Sequence, residues 1–493
     1  MPDTPHRITR RTLLAGLATA SGAAVLAGLG CAPRRAARTA PAGDPALLDL
    51  RDASRAVRAG SISPVELTTA CLARIDRFDG RLNSFITLTA EAALAEAKQA
   101  EAEVGQGRWR GPLHGIPIAV KDNVDTAGVL TTAASGVFEG RIPSEDAEVI
   151  RRLRAAGAVI LGKLNLHEFA LGTTSAISHF GPVRNPWDLE RIAGGSSGGS
   201  GAAVAASFCY GAVGTDTGGS IRIPAACCGV VGLKPTFDVV SPRGLVPVSR
   251  SFDHVGPLCR TVADTALMFR AMTGHPVAAA CEPDSLEAVA PLCVGILASL
   301  GDQCDAAVDP EVQAAVNAAI TVIRSLVAEV RETALPMPDL AAVLDHEMMA
   351  FHAPLLARSP EKYDPRTRDD LLGATDIPEE DYTRLLADLQ RHRASVHEAF
   401  TNVDLVVLPT LPVLPLRIQD AADPFALPSC TFAFSLGGLP AISVPCGFSR
   451  SGLPIGLLIG GPPSSEPRAL ALAQAYEQAT EWHRRRPGLP VIA

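Results

Sequence analysis

Aromatic residues make up only 4% of the 493 residues, with three Trp and four Tyr, whereas hydrophobic residues make up 47%. The core must therefore consist mainly of Ala, Leu and Val packed in helices and strands, as is ordinary for an α/β enzyme. The chain also lacks an internal repeat, and no Gly/Ser/Pro linker divides its body. These absences exclude a repeat array and favour one body over a string of independent domains.

Basic charge is scarce outside the amino terminus. The net charge is −8, but residues 1–42 hold six Arg against one Asp, so that a balance of +5 there leaves about −13 on the remainder. An acidic body argues against nucleic acid as a partner. No H-E-x-x-H occurs, and Gly229–Thr236 lacks the spacing of a phosphate-binding loop, whose helix Pro235 would break. We therefore expect neither a metal nor a cofactor.

Residues 1–42 have the pattern of an export signal. The Arg10-Arg11 pair precedes an apolar, Gly/Ala-rich run from Leu13 to Gly30, which is typical of the twin-arginine route. Three outcomes stay open: cleavage after the A-x-A sequence Ala40–Ala42, lipid attachment at Cys31, and an uncleaved anchor from Leu13 to Leu29. We predict an exported protein, on the periplasmic or cell-surface side, that meets the membrane only through export or a lipid anchor.

Eleven cysteines would suggest disulfides in an exported protein, but their distribution indicates otherwise. Five lie in apolar runs, where a free cysteine behaves as a small hydrophobe: Cys71, Cys209, Cys227, Cys228 and Cys446. We expect these to be reduced and buried. The group Cys281, Cys293 and Cys304 is the only one in which the sequence suggests a bridge.

Hydrophobic periodicity and capping signals predict an alternation of helices and short strands. Ser63-Pro64-Val65-Glu66 is a capping box with Pro at the first helical position. Helices are predicted over 44–59, 63–78, 90–104, 144–156, 310–332 and 467–482, a helical insertion over 339–400, and buried strands over 158–161, 293–300, 404–409 and 441–445. This alternation indicates an α/β fold with a sheet covered by helices on both faces.

The segment Ala193–Pro235 is the centre of the chain. Two Gly/Ser-rich stretches, 194–201 and 218–220, bracket an apolar segment, 202–213, that we interpret as a buried helix or a helix plus a strand. Glycines on both sides of a packed element indicate a close approach of backbone, although two tight turns would give the same composition.

Three side chains in or near that segment suggest nucleophilic chemistry. Ser196 and Ser220 each lie in a Gly-flanked turn, where a hydroxyl can stand clear of its backbone. Lys121 follows the apolar strand 116–120, and its desolvation would lower its pKa and provide a neutral amine as a base.

Four motifs carry a resemblance to the amidase signature family of serine hydrolases: GIPIAVKDN, GGSSGGSGAAVAA, GTDTGGSIRIPAACCGVVGLKPT and GLPAISVPCGF. They occur in the family's order, and the separations of 75 residues from Lys121 to Ser196 and of 24 from Ser196 to Ser220 also fit. The resemblance spans roughly Leu47 to the C-terminus. It implies one amidase-like domain over 43–493 with a central mixed β-sheet, preceded by the signal segment 1–42.

The resemblance also implies roles for individual residues. Ser220 would be the nucleophile, and Lys121 would be the base. Ser196, held in a cis peptide, would provide the hydroxyl that bridges them. The N–H groups of the run Thr217-Gly218-Gly219 can form an oxyanion hole. Asp216 and Arg222 would either brace this loop as a pair or be surface charges, and His167-Glu168-Phe169 is assigned a packing role.

The leading functional prediction is hydrolysis of a carboxamide to a carboxylic acid and ammonia or an amine through a Ser acyl-enzyme. One alternative is the glutaminase-type subunit of a tRNA-dependent amidotransferase, against which an export signal argues. The other is a non-catalytic binding protein on the same fold. The predicted partner is a small-molecule amide substrate, and the sequence predicts neither a particular amide nor an oligomeric state.

Overall fold

The computed structural model describes residues 43–284, 286–297, 304, 306–374 and 377–489. Within these residues the strands are β1 Phe85–Leu88, β2 Pro117–Lys121, β3 Val159–Leu164, β4 Arg184–Asn185, β5 Asp188–Ile192, β6 Gly211–Asp216, β7 Val231–Lys234, β8 His254–Cys259, β9 Cys293–Leu297, β10 Glu329–Thr333, β11 Leu405–Pro409, β12 Ala441–Phe448 and β13 Pro454–Gly460. The α-helices are α1 Leu50–Arg58, α2 Pro64–Leu82, α3 Ala90–Gly105, α4 Glu148–Ala155, α5 Gly198–Ala205, α6 Arg222–Cys228, α7 Val262–Met272, α8 Pro276–Ala279, α9 Pro310–Leu326, α10 Ala341–Arg358, α11 Pro365–Gly373, α12 Glu379–Ser395, α13 Phe432–Leu436 and α14 Glu466–Ala479.

Eleven of these strands form one mixed sheet in the order β1-β3-β2-β6-β8-β7-β12-β13-β11-β9-β10. The strand β2 pairs in parallel with β3 and β6, and β9 pairs in parallel with β10 and β11, whereas the strands between these two groups pair antiparallel. Every residue of β2, β3, β6 and β8 is buried, so helices cover both faces of the sheet. The predicted α/β fold with a mixed central sheet is confirmed.

The helix α2 begins where its capping box predicts. The Ser63 hydroxyl accepts from the Glu66 N–H at 3.1 Å, and the Glu66 carboxylate accepts from the Ser63 N–H at 2.7 Å. The helix continues four residues beyond the predicted end and stops at Asn83, whose left-handed backbone conformation ends the helical hydrogen bonding.

The predicted helix over 310–332 is wrong in its last six residues. The helix α9 ends at Leu326, and Val327 is extended. The residues that follow form the edge strand β10, whose Glu329 pairs with Cys293 of β9. The charged residues Glu329, Arg331 and Glu332 are compatible with a helix in the sequence. Their conformation is instead set by the pairing of this edge strand with β9.

Lys121 and Asp216 are brought to the same edge of the sheet. Lys121 is the last residue of β2, and Asp216 is the last residue of β6. These strands are parallel neighbours, with Val120 opposite Val213. Because parallel strands end on the same side, the segments that follow β2 and β6 meet there, as is typical of ligand sites in α/β proteins.

One disulfide joins Cys304 to Cys430, 126 residues apart, with the two Cα atoms at 5.1 Å. Cys304 belongs to the predicted group, but its partner does not, and Cys281 and Cys293 are free. The sequence could not show this pairing because Cys430 lies in a loop that only the folded sheet brings close. The five cysteines predicted to be reduced are free and buried.

Candidate active site

The Lys121 amine is fully buried and lies 2.8 Å from Ser196 Oγ. It also lies 2.8 Å from Thr215 Oγ1 and 3.4 Å from the Thr215 carbonyl oxygen. Burial lowers the Lys121 pKa to about 7, although the carboxylates of Asp216 and Asp253 act to raise it. A substantial share of neutral amine is therefore present near neutral pH, as a base requires.

The two predicted serines lie on loops that are hydrogen-bonded to each other. Ser196 follows a cis Gly195–Ser196 peptide bond, as the family resemblance implies, and is fully buried. The next residue, Ser197, donates its N–H to the Ser220 carbonyl oxygen at 3.1 Å. No hydrogen bond joins the two hydroxyls directly within the described residues. Ser220 is only half-buried, so its hydroxyl remains accessible from outside.

Asp216 and Arg222 form a buried ion pair beside this loop. Both side chains have no exposed surface, and two guanidinium nitrogens lie 2.8 Å and 3.0 Å from the Asp216 oxygens. Burial alone would raise the Asp216 pKa, but Arg222 and Lys234 hold it well below its usual range. Asp216 also accepts the Ile221 N–H at 3.0 Å and so ties the end of β6 to the start of α6.

The run Thr217-Gly218-Gly219 forms the turn between these two anchors. The N–H groups of Thr217, Gly218 and Gly219 donate to no partner within the described part of the chain. Gly219 has a φ of 155°, and a side chain there would collide with Thr431 and Ile223. A glycine is therefore required at this position, and the turn leaves these N–H donors free beside Ser220.

A cavity of about 630 Å³ opens onto this turn. Its wall includes Thr217, Gly218, Gly219 and Ser220 together with the segment 170–173. The insertion supplies much of the remaining wall, namely Ala341, Leu344, Asp345, Met348, Asp369, Asp370, Gly373 and Ala374. The insertion is helical, as predicted, and it shapes the space in front of Ser220.

Sequence reasoning missed four residues that position the predicted ones. The Thr215 hydroxyl lies beside Lys121, and it accepts from the Asn123 amide at 3.1 Å. Asp253 accepts from the Thr217 hydroxyl at 2.6 Å. Thr431 donates its hydroxyl to the Gly218 carbonyl oxygen at 2.5 Å. The first two lie within the quoted motifs, whereas the other two are distant in sequence and have no local signal.

This combination of fold and site defines a class of enzyme, and the comparison with known families agrees. A model described as Amidase matches residues 66–470. The chain therefore belongs to the amidase signature family and is an enzyme of the amidase type, which acts on C–N bonds.

Individual relatives cover nearly the whole chain. It is 41% identical over 469 residues to a subunit of the glutamyl-tRNA(Gln) amidotransferase of Moorella thermoacetica, covering 87% of this chain and 96% of that one. The corresponding subunit of Roseiflexus sp. is 40% identical, with 90% and 99% covered. Among solved structures, an amidase superposes with a TM-score of 0.79 at 34% identity, over 88% of this chain and all of that one. The peptide amidase of Stenotrophomonas maltophilia gives 0.78 at 31% identity, over 90% and 99%.

The prediction of an exported protein is wrong on this comparison. The relatives are named for glutamyl-tRNA, and charged tRNA belongs to the compartment where proteins are synthesised. The export signal was the argument against an amidotransferase role, and that argument no longer holds. The segment 1–42 lies outside the described residues, and the division of the chain at residue 43 stays a prediction. No helix in the described ranges is long and apolar enough to cross a membrane.

Proposed function

We propose that this chain hydrolyses carboxamides through an acyl-enzyme on Ser220, with Ser196 as the proton bridge and Lys121 as the base. The observation that carries the proposal is the buried Lys121 amine 2.8 Å from Ser196 Oγ, on a loop hydrogen-bonded to the loop of Ser220. A lysine that is half neutral near pH 7 can accept a proton from a hydroxyl, which an ordinary surface lysine cannot do at that pH.

Thr215 supports the direction of this proton transfer. A neutral amine has two N–H groups and one lone pair. The Thr215 hydroxyl and carbonyl oxygens, at 2.8 Å and 3.4 Å from Lys121 Nζ, can accept both N–H groups. The lone pair is then left for the Ser196 hydroxyl proton.

The reaction proceeds in two halves. Ser220 loses its proton to Ser196, which passes its own proton to Lys121, while Ser220 Oγ bonds to the amide carbon. The oxyanion accepts hydrogen bonds from the free N–H groups of Gly218 and Gly219, which are fixed before the substrate arrives. Lys121 then returns its proton through Ser196 to the departing nitrogen, and the C–N bond breaks to release ammonia or an amine. Water then attacks the ester by the same proton route and releases the carboxylic acid and Ser220.

For the physiological role, the comparisons favour a glutaminase-type subunit of a tRNA amidotransferase over a free-standing amidase. The relatives with that name are up to 41% identical and are covered over nearly their whole length, whereas the solved amidases cited above are 31–34% identical. We propose that the carboxamide is glutamine and that the ammonia passes to partner subunits. A free-standing amidase remains the second candidate, because those amidases share the fold over about 90% of this chain.

The test combines covalent labelling with ammonia release. A fluorophosphonate should label the wild-type protein at Ser220 and leave Ser220→Ala unlabelled with an unchanged thermal midpoint, because the substitution removes one oxygen from a half-buried site. Absence of label from the folded wild-type protein would overturn the proposed roles. Ammonia release is then measured with glutamine and with simple aliphatic and aromatic amides, and transfer to glutamyl-tRNA is assayed after purification from the native cell. Preference for glutamine with transfer identifies the amidotransferase role, and release from simple amides alone identifies the free-standing amidase.

A further inference from the structure

Glu168 is a buried carboxylate that the proposed relay does not use. Its exposed fraction is 1%, and it lies in a short turn that follows His167. Burial raises the Glu168 pKa, although hydrogen bonds from the Ser135 hydroxyl and the Asp364 backbone act to lower it. Burying a carboxylate is unfavourable unless donors compensate it, so the contacts that Glu168 makes are the place to seek its purpose.

Those contacts hold the start of the helix α11. Both Glu168 oxygens accept from the backbone N–H of Asp364, at 3.1 Å and 3.3 Å, and the Ser135 hydroxyl donates to one of them at 2.6 Å. Asp364 is the N-cap of α11, and its own side chain accepts from the Arg366 N–H at 3.0 Å. A carboxylate at this end of a helix also interacts favourably with the helix dipole.

The same carboxylate therefore connects two parts of the cavity wall. The helix α11 contributes Asp369, Asp370 and Gly373 to the wall. The residues just after Glu168, namely the segment 170–173, contribute another part. Two contacts join these parts: the Phe169 and Tyr363 rings pack with their centroids 5.3 Å apart, and the hydrogen bond between Glu168 and Asp364 is the polar link.

The relay is held by other donors. The Ser196 carbonyl oxygen accepts from the His167 N–H at 3.1 Å and from the Ser175 hydroxyl at 3.1 Å. Neither bond involves the Glu168 side chain. Loss of this carboxylate should therefore disturb the wall of the cavity much more than the geometry at Ser196.

We propose that Glu168 is a positioning residue that joins α11 to the segment 170–173 and thereby sets how tightly the cavity binds a substrate. This inference rests on the proposed function, because it takes the cavity in front of Ser220 as the substrate site. It replaces the packing role that the sequence suggested for this residue.

The test compares two amides of different size: glutamine, which the proposed function takes as the substrate, and acetamide, which carries only a methyl group beside the amide. Glu168→Ala should raise KM for glutamine about tenfold or more, as expected for loss of a charged hydrogen bond. The kcat of Glu168→Ala for glutamine should stay within about threefold of wild type, and so should its kcat/KM for acetamide. Glu168→Gln should restore KM to within about threefold, since its oxygen can accept from Asp364 and its amide can donate to Ser135.

Glu466→Ala is the matched control. Glu466 is also a fully buried carboxylate that accepts a backbone N–H, from Thr236 at 2.8 Å, but it does not line the cavity. It should lower the thermal midpoint and leave KM unchanged. An equal rise of KM in this control, an unchanged KM in Glu168→Ala, or an equal loss of kcat for both amides would overturn the proposal.

A second measurement tests the proposal when an amide is not hydrolysed or when Glu168→Ala does not fold. The concentration of glutamine that protects Ser220 from a fluorophosphonate reports binding without relying on turnover, and it should rise in Glu168→Ala. If that variant does not fold, Ser135→Ala should raise the protective concentration about threefold by removing one donor to Glu168, and no rise would refute the proposal. Absence of wild-type labelling would instead refute the proposed function itself.

Discussion

The lowered pKa of Lys121 predicts the pH dependence of the enzyme. The pKa falls from the ordinary value of 10.5 to about 7 because the amine is fully buried. If the neutral amine is the base, its fraction is about 9% at pH 6, about 50% at pH 7 and about 91% at pH 8. We expect kcat/KM for ammonia release to rise about tenfold from pH 6 to pH 8 and then to level off. A base of ordinary pKa would give about tenfold per pH unit through pH 10.

Three variants assign this profile to Lys121. Lys121→Arg should be inactive at every pH, because arginine stays protonated. Asp253→Asn should move the midpoint to lower pH, since the Asp253 carboxylate raises the Lys121 pKa. Lys163 is a second buried lysine, whose pKa burial lowers to about 8, but its amine contacts Val124 O and Thr131 Oγ1. Lys163→Arg should leave the midpoint unchanged. A flat profile, or a midpoint that follows Lys163, would refute the assignment.

Two further predictions concern the residues around the relay. Thr215→Val removes the hydroxyl that accepts from Lys121, so kcat should fall about tenfold or more while KM changes little; steady-state kinetics at pH 8 measures this, and an unchanged kcat would contradict the role in orienting the lone pair. Arg222→Met leaves the buried Asp216 carboxylate without its partner, so the free energy of unfolding should drop by about 3–5 kcal/mol. Urea denaturation followed by circular dichroism measures it, and a loss below about 1 kcal/mol would show that the pair does not stabilise the loop.

The sequence predicted those parts of the fold whose signals are local. The Ser63 capping box marks the start of α2, and the buried run before Lys121 is β2. The segment 202–213, interpreted as a helix or a helix plus a strand, is the end of α5 followed by the start of β6. The antiparallel strands β8 and β13 were missed, because a strand buried on both faces has no alternating pattern to distinguish it from other apolar segments.

The candidate site shows the same division between local and distant information. The motifs predicted Lys121, Ser196 and Ser220, and the structure brings the segments that carry them together at one edge of the sheet. Thr431 and Asp253 could not be predicted, since they reach the glycine turn from other parts of the chain. The insertion's part of the cavity wall could not be predicted either, because the insertion has no motif. Its position follows from contacts between distant residues, such as that of Glu168 with Asp364.

The strands β10 and β11 lie on either side of β9, and this arrangement makes the insertion an exchangeable module. Thr333 is opposite Leu297 of β9, and Leu405 is opposite Val294. Two strand spacings of about 4.8 Å and three residues along the strand place the ends roughly 14 Å apart. Chain 334–404 thus leaves and rejoins the sheet within a short distance, so an insertion from a relative can be grafted between fixed endpoints. Such a chimaera should keep the bond-breaking chemistry of this chain and acquire the donor's choice of amide, provided that the graft supplies a backbone N–H to Glu168 and refills the core that Val343, Leu389 and Val396 share with the body.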